Sequence, residues 1–495
     1  MEYAVALTEG QHEALMIHLL RKDGQEDLCF ALYQPCTGGT RFTGIIREII
    51  LPLPGERQVH GNVSFNPEYF DRVLELALEK QCGVCFLHSH PTSGWQNMSS
   101  DDIIAETEMA PRIRAYSKLP LLGMTVGTDG AWSARFWVKD SPGKYGLYWC
   151  ATTRVVGKKL SITYDDRLLV PPVLKEQFAR TISAWGPQKQ QMIARLHVGI
   201  VGCGSVGSVI AEALLKTGVR QITLIDFDTV ELKNLDRLQG IGKKSIGRLK
   251  VYVLQEHLHS QDISDDVEIH AIPYSIVEET GYRAALNCDL LFSCVDRPWP
   301  RFVLDAISQA NHIPVIDGGI ETSTKVDHSN IDQARWKAHT CGPERACMRC
   351  IGQYDVEDIG VEQAGLLDDP SYISNLPKDH FIHRGENVFI FSVSVGSMEL
   401  QQFLSLLLQP RRQYYGPKEF DFNSGMIDED FPFACKSDCD IATLLSGGDG
   451  VNAVFISQHV IAEDRRKAAK SKWQAFISYC LRKTRQYFGF FTALF

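Results

Sequence analysis

Residues 196–228, LHVGIVGCGSVGSVIAEALLKTGVRQITLIDFD, limit the folds open to this chain more than any other stretch. LHVGIVG reads as a buried strand, CGSVGSVIAEALLKTG as a glycine turn opening a helix, and QITLIDFD as a second strand. The strand pattern returns at CDLLFSCVD (288–296) and IPVIDGG (313–319), with helical stretches between. Strands that alternate with helices imply a parallel, doubly wound α/β Rossmann-like sheet, expected over 196–445.

The first 150 residues read as a separate α+β domain. Residues 1–22 are expected to be helical, with Ala14, Leu15, Ile17 and Leu19 as apolar positions. LCFALY (28–33), FTGIIREIILPL (42–53) and GVCFLH (83–88) read as strands, 70–78 as a helix, and AWSARFWV (131–138) closes the pattern. Pro171 and Pro172 mark 151–195 as a linker and dimer-contact segment. Residues 446–495 form a helical extension, basic and aromatic, expected to pack on the second domain or a dimer mate. At 495 residues the chain suits two or three domains. The net charge of -9 argues against a nucleic-acid-binding protein. The segment MEYAVALTEGQHEAL lacks the basic start and apolar run of a secretory signal, and no stretch approaches the ~18 apolar residues of a membrane span. A cytoplasmic protein is expected.

Two chemical centres stand out. In LHSHPTSGWQNMSSDD (87–102), His88 and His90 end a strand one residue apart, and period-two alternation turns both imidazoles to one side. Asp102, a short loop later, can supply a third ligand and leave the fourth tetrahedral position for water, the arrangement of a catalytic zinc. Such a metal needs a carboxylate nearby to take and return a proton. Together with Pro91 and Ser99, these residues resemble the JAMM (JAB/MPN) metalloprotease signature: a glutamate, His-Ser-His-Pro, then Ser-x-x-Asp. The resemblance covers about the first 150 residues and implies an isopeptidase acting at the C-terminus of ubiquitin or a relative. It implies His88, His90 and Asp102 as zinc ligands, Ser99 as oxyanion helper, and a glutamate general base. Asp101 competes with Asp102, but only Asp102 preserves Ser-x-x-Asp. Glu26 and Glu48 compete for the base, and Glu26, just ahead of the strand LCFALY, is preferred.

The second centre begins with Gly202, Gly204 and Gly207, a GxGxxG that lets backbone approach a phosphate at a helix N-terminus. Asp226, nineteen residues beyond Gly207, ends the next strand, where ribose hydroxyls bind. A nicotinamide dehydrogenase fits these residues equally well. An enzyme that splits ATP must also neutralise triphosphate and leaving pyrophosphate, which Arg237 and Lys250 can do, with Asn234 fixing the turn. Asp296, ending the strand LLFSCVD, can hold magnesium. The series resembles the ubiquitin-activating superfamily, which includes the adenylyltransferases of molybdopterin and thiamin biosynthesis, across about 196–445. Membership implies ATP and magnesium binding through these residues and Asp228, adenylation of a ubiquitin-like β-grasp protein, and a homodimer in which Arg180 reaches the partner's nucleotide.

Cys347 and Cys350 (CMRC) with Cys435 and Cys439 (CKSDC) form two close pairs able to close a structural zinc site, with Cys341 as a spare ligand. Between Cys350 and Cys435 there is no cysteine to carry a thioester. The tail is then left as an adenylate, passed to a conjugating-enzyme-like protein, or taken by a hydroxyl such as Ser371 or Ser374. The arrangement resembles fused proteins of bacterial ubiquitination-like operons, including antiphage systems. Rival readings are activation of a sulfur-carrier protein, a first domain that binds a ubiquitin-like fold without cutting, and a nicotinamide oxidoreductase.

Overall fold

The computed structural model describes residues 1–59, 63–261, 263, 266–325, 329–376, 387–408, 415–452 and 454–470. The chain opens with β1 (Glu2–Thr8), α1 (Glu9–Leu19), β2 (Leu28–Thr37) and β3 (Arg41–Ile50). A small hairpin, β4 (Arg57–Val59) and β5 (Val63–Phe65), precedes α2 (Pro67–Glu79), β6 (Gly83–Ser89) and α3 (Ser100–Ser117). Then come β7 (Leu121–Val126), β8 (Trp132–Ser141), β9 (Lys144–Trp149), β10 (Thr152–Val156) and β11 (Leu160–Tyr164). These strands, the small hairpin apart, form a nine-stranded mixed sheet in the order β11-β10-β1-β3-β2-β6-β7-β8-β9. α1 buries Leu15 and Leu19 on one face, and α2 and α3 cover the other.

Two expectations need correction. Residues 1–22 are not one helix. EYAVALT is a central strand, paired in parallel with both β10 and β3, and its Ala4 to Leu7 are fully buried. Burial on both faces favours a strand there, and a reciprocal cap between Thr8 and Gln11 starts the helix only at Glu9. Ile17, one of the apolar positions of the expected helix, is 84% exposed. The first domain also continues past 150: β10 and β11 complete its sheet, so the span 151–195 is not all linker.

α4 (Ala179–Trp185) and α5 (Pro187–Ala194) lead into β12 (His197–Val201), α6 (Ser205–Thr217), β13 (Gln221–Ile225) and α7 (Lys250–Ser260). They are followed by β14 (Glu268–Ile272), α8 (Glu279–Ala285), β15 (Leu290–Ser293), α9 (Pro298–Ala310), β16 (Val315–Thr324) and β17 (Ile331–Cys341). The remaining elements are α10 (Val356–Gln363), α11 (Pro370–Ile373), α12 (Phe389–Leu408), β18 (Lys418–Asp421), β19 (Met426–Asp428) and α13 (Asp449–Asn452). The second sheet runs β14-β13-β12-β15-β16-β17-β18-β19, parallel from β14 to β16 and antiparallel beyond. α6, α7 and α12 pack one face; α8 and α9 pack the other. It is a Rossmann-like, doubly wound sheet whose order reverses between β12 and β15, the crevice where such sheets bind ligands.

The two sheets share a core. Ala6, Cys36 and Ile45 of the first lie in one apolar cluster with Leu291, Val303 and Ile307 of the second. Above it, Arg41 and Arg154 reach across to buried Asp289 at 2.7 and 2.9 Å. Burial pushes the Asp289 carboxyl up, but the two guanidinium groups outweigh it and hold the pKa down at about 2. Residues 460–470 are helical, and the rest of the expected extension, 471–495, lies outside the described residues. Among the described residues no helix is long and apolar enough to cross a membrane.

Candidate functional site

At the first centre, β6 delivers His88 and the residue pair beyond it, while α3 delivers Asp102 from its first turn. His88 Nε2 lies 3.1 Å from Asp102 Oδ1, His90 Nε2 lies 3.3 Å from Oδ2, and the two Nε2 atoms are 3.3 Å apart. All three ligand atoms fall within 4.8 Å of one another. Two imidazole nitrogens and a carboxylate converging on one point are a donor set suited to a divalent metal. Burial pushes the Asp102 carboxyl up, but hydrogen bonds from His88 and His90 prevail and hold it well below the carboxylate range. Asp101 is exposed on the outer side of α3. Ser99 caps the helix: its Oγ accepts from Asp102 N at 3.1 Å, and Asp102 Oδ2 accepts from Ser99 N at 2.7 Å. That bond leaves the Ser99 hydroxyl hydrogen available.

The two glutamates separate by register. Leu28 pairs with His88, and Asp27 extends the ladder through Ser89 N donating to its carbonyl at 3.0 Å. Glu26 directly precedes Asp27, at the same end of β2 as His88. Glu48 pairs with Leu32, four residues further along β2, and bonds to Lys80. Sequence reading missed Thr125, whose Oγ1 lies 3.3 Å from His88 Nε2. No local pattern marks it, because β7 reaches His88 only through sheet pairing.

The second centre is a cavity of about 980 Å³ at the carboxyl ends of the parallel strands. Gly202 has φ +93, and a Cβ there would sit 2.4 Å from the Cys294 carbonyl oxygen; a Cβ on Gly207 would meet the Gly202 carbonyl oxygen at 2.0 Å. These two glycines keep the loop against β15 and α6 against the loop. Gly204 caps α6 and lines the cavity. Asp226 accepts from Cys203 N at 2.7 Å and from Asp228 N at 2.7 Å, tying the loop to the end of β13. Asn234 accepts from Glu231 N at 3.0 Å, and Arg237 bonds the Lys233 carbonyl at 2.8 Å. Lys250, the first residue of α7, bonds Asp228 at 2.8 Å. Asn234, Arg237, Lys250 and exposed Asp296 all line the cavity. Arg180 is exposed on α4 and is not among the described lining residues.

The structure adds residues that carried no sequence signal. Arg301 lies 3.3 Å from buried Asp317, which Ser293 and Gln353 also bond, beneath the cavity floor. Burial raises Asp317 and raises neighbouring Glu399 well above its ordinary value. From the C-terminal segment, His459 and Arg465 also line the cavity.

Cys347, Cys350, Cys435 and Cys439 converge with all sulfurs within 4.8 Å. Cys435 Sγ accepts from Cys347 N at 3.3 Å, Cys347 Sγ from Cys350 N at 3.4 Å, and Cys350 Sγ from Lys436 N at 3.4 Å, bonds that favour thiolate and so fit a structural zinc. Cys341 is outside this cluster, donating to the Val315 carbonyl at 3.2 Å. Ser371 donates to Asp369 at 2.7 Å and Ser374 to the Ser371 carbonyl at 3.0 Å, both short-range bonds at a helix end.

A model of the ThiF family matches residues 177–428, which is 252 of the 495 residues. Over 153 residues the chain is 26% identical to the tRNA threonylcarbamoyladenosine dehydratase of Escherichia coli, covering 31% of this chain and 56% of that protein. Over 192 residues it is 28% identical to ubiquitin-like modifier-activating enzyme 5 of Culex quinquefasciatus, covering 36% and 48%. The chain thus spans about half the length of the curated relatives it matches. A solved structure of E. coli MccB with ATP aligns at 15% identity and TM-score 0.41, covering 54% of this chain and 74% of that one.

Proposed function

Because the chain belongs to the ThiF family, we propose that its second half is an adenylyltransferase that uses ATP and magnesium to activate the C-terminal carboxylate of a ubiquitin-like β-grasp protein. One observation carries this reading: the glycine loop, Asp226, Arg237, Lys250 and Asp296 are spread over nearly a hundred residues yet line one cavity. Asp226 accepts from ribose hydroxyls. The α6 N-terminus and its glycine loop present backbone N–H groups to phosphate. Asp228 and Asn234 keep Lys250 and the turn before Arg237 in place, so that two cations face the phosphates. The incoming carboxylate oxygen bonds the α-phosphorus as the bond to pyrophosphate breaks, and Arg237 and Lys250 balance the charge on the departing group. Asp296 would hold magnesium, which supplies further charge neutralisation. In a homodimer, exposed Arg180 would serve the neighbouring copy's nucleotide. ATP–pyrophosphate exchange that depends on a β-grasp protein ending in glycine tests the reading, and its absence with every such protein encoded nearby would overturn it.

The first half is proposed to be a zinc isopeptidase that matures or removes the same protein. The convergence of His88, His90 and Asp102 supports it. A zinc ion there supplies Lewis acidity toward water and a carbonyl. Glu26, one residue before Asp27 at the His88 end of β2, moves the proton from water to the leaving amine, and the Ser99 hydroxyl donates to the carbonyl oxygen. Cleavage of a β-grasp fusion should require zinc and fail in Glu26→Gln; a zinc-independent outcome leaves a binding module. With no cysteine between Cys350 and Cys435, the adenylate is handed to a separate conjugating-enzyme-like protein. Lysine adducts on other proteins would support that route, and a thiocarboxylate would instead mark a sulfur-carrier pathway. A bacterial ubiquitination-like, antiphage role is the biological setting we propose.

A further inference from the structure

We propose that the segment spanning residues 457–466 is a built-in wall of the nucleotide site, in which His459 closes the adenosine end and Arg465 is a positioning residue for Lys250. The inference rests on the ATP-binding reading above.

The segment is anchored firmly to the second domain. Ser457 N donates to the Val277 carbonyl at 2.8 Å, and Ala462 is fully buried. Arg466 forks onto Glu278 at 2.8 and 2.5 Å and lies 4.1 Å over the Tyr274 ring. A bidentate pair stacked on an aromatic ring fixes orientation as well as position. These anchors present two other side chains to the cavity. His459 packs its ring 4.6 Å from Phe227 and stacks on Trp299 at 5.8 Å with an interplanar angle of 6°. Phe227 directly follows Asp226, the ribose aspartate, so His459 stands at the adenosine end. Arg465 ion-pairs with Asp228 and lies 5.6 Å over the Phe227 ring.

Asp228 thereby faces two cations, Lys250 on Oδ2 and Arg465 on Oδ1. A carboxylate already neutralised by a guanidinium holds an ammonium less tightly. Arg465 therefore lets Lys250 turn from Asp228 toward phosphate while keeping Asp228 in place. The segment lines the site without plugging it, since about 980 Å³ remains open with the segment seated. Ligand pockets for molecules of nucleotide size run to roughly 300–1,000 Å³.

The test is calorimetric ATP binding to the full chain alongside pyrophosphate exchange. Arg465→Ala should weaken ATP binding and raise the KM for ATP about tenfold with a smaller change in kcat, and Arg465→Lys should recover most of the loss. His459→Ala should weaken ATP binding without that recovery by charge. ATP should also slow tryptic cleavage after Arg465 and Lys467 in the wild-type chain, a readout that needs no variant to fold. Unchanged ATP affinity in Arg465→Ala, or a tryptic rate indifferent to saturating ATP, overturns the inference. Tighter ATP binding by Arg465→Ala also overturns it, and would make the segment a plug. If the wild-type chain binds no ATP at all, the failure lies with the adenylyltransferase reading.

Discussion

The two candidate centres are built in opposite ways. The candidate metal trio comes from fifteen consecutive residues: a strand end turns two imidazoles to one side, and a helix N-terminus brings Asp102 against them. The cavity proposed for the nucleotide draws on residues from Val201 to Arg465, contributed by strand ends, loops and the C-terminal segment. A compact centre is specified by local periodicity. A dispersed one depends on the whole sheet being correctly wound, and here it also depends on a second domain, because Asp289, at the amino end of the interior strand β15, is held by Arg41 and Arg154 from the first. The metal trio should therefore tolerate damage to the second domain better than the cavity tolerates loss of the first.

The sharpest way to break that asymmetry is Asp289→Asn, which leaves buried Arg154 without its countercharge and Arg41 with Glu2 alone, and should cost about 3–5 kcal/mol in thermal or denaturant unfolding. Because the Asp289 pKa is depressed from its ordinary 3.8 to about 2, its contribution is present above pH 3.8 and lost as pH falls through 2. A loss below about 1 kcal/mol would mean that the two domains are not energetically joined there.

Next in size, Lys250→Ala should lower pyrophosphate exchange on the order of 10²–10³-fold while zinc content stays at the wild-type level. Loss of zinc together with exchange would show that the two centres are not independent. His88→Ala is the reciprocal experiment. It should weaken zinc binding at the first centre by about a hundredfold (~2.8 kcal/mol), read as one fewer zinc per chain after dialysis against a mild chelator, with the sulfur-bound ion and exchange retained.

The smallest effect concerns Glu362, which accepts from Trp299 N at 2.9 Å and lines the cavity. Burial raises its carboxyl from the ordinary 4.5 to about 7. A raised carboxyl pKa means the folded state binds the proton more tightly, so stability falls as pH rises from 4.5 through 7. Glu362→Gln should flatten that fall, gaining on the order of 1–2 kcal/mol at neutral pH. An unchanged pH profile would assign the slope to other groups.

Much of both centres was legible because each rests on a short repeat with a geometric consequence. His-x-His at a strand end and GxGxxG between strand and helix prescribe where side chains or backbone point. Leu15 and Leu19 suggested a helix reaching back to Met1, but Glu2–Thr8 is a strand because β3 and β10 flank it on both sides. β10 and β11 were assigned to a linker because their membership in the first sheet depends on pairing with β1, some 150 residues earlier in the chain. Glu26 and Glu48 are both acidic residues beside strands, and only pairing shows that Glu26 lies at the His88 end of β2 while Glu48 pairs with Leu32, four residues away.

From the sequence alone followed the doubly wound second domain, the trio of His88, His90 and Asp102, the glycine loop and the two close cysteine pairs, since each follows from spacing along a strand, a turn or a close pair. Tertiary structure alone decided that the two domains share one core beside Asp289, that Thr125 joins His88, and that His459 and Arg465 return to the cavity lined by the glycine loop. The physical reason is distance along the chain: local backbone geometry propagates over a few residues, while burial and charge pairing between distant segments exist only once the sheets have closed.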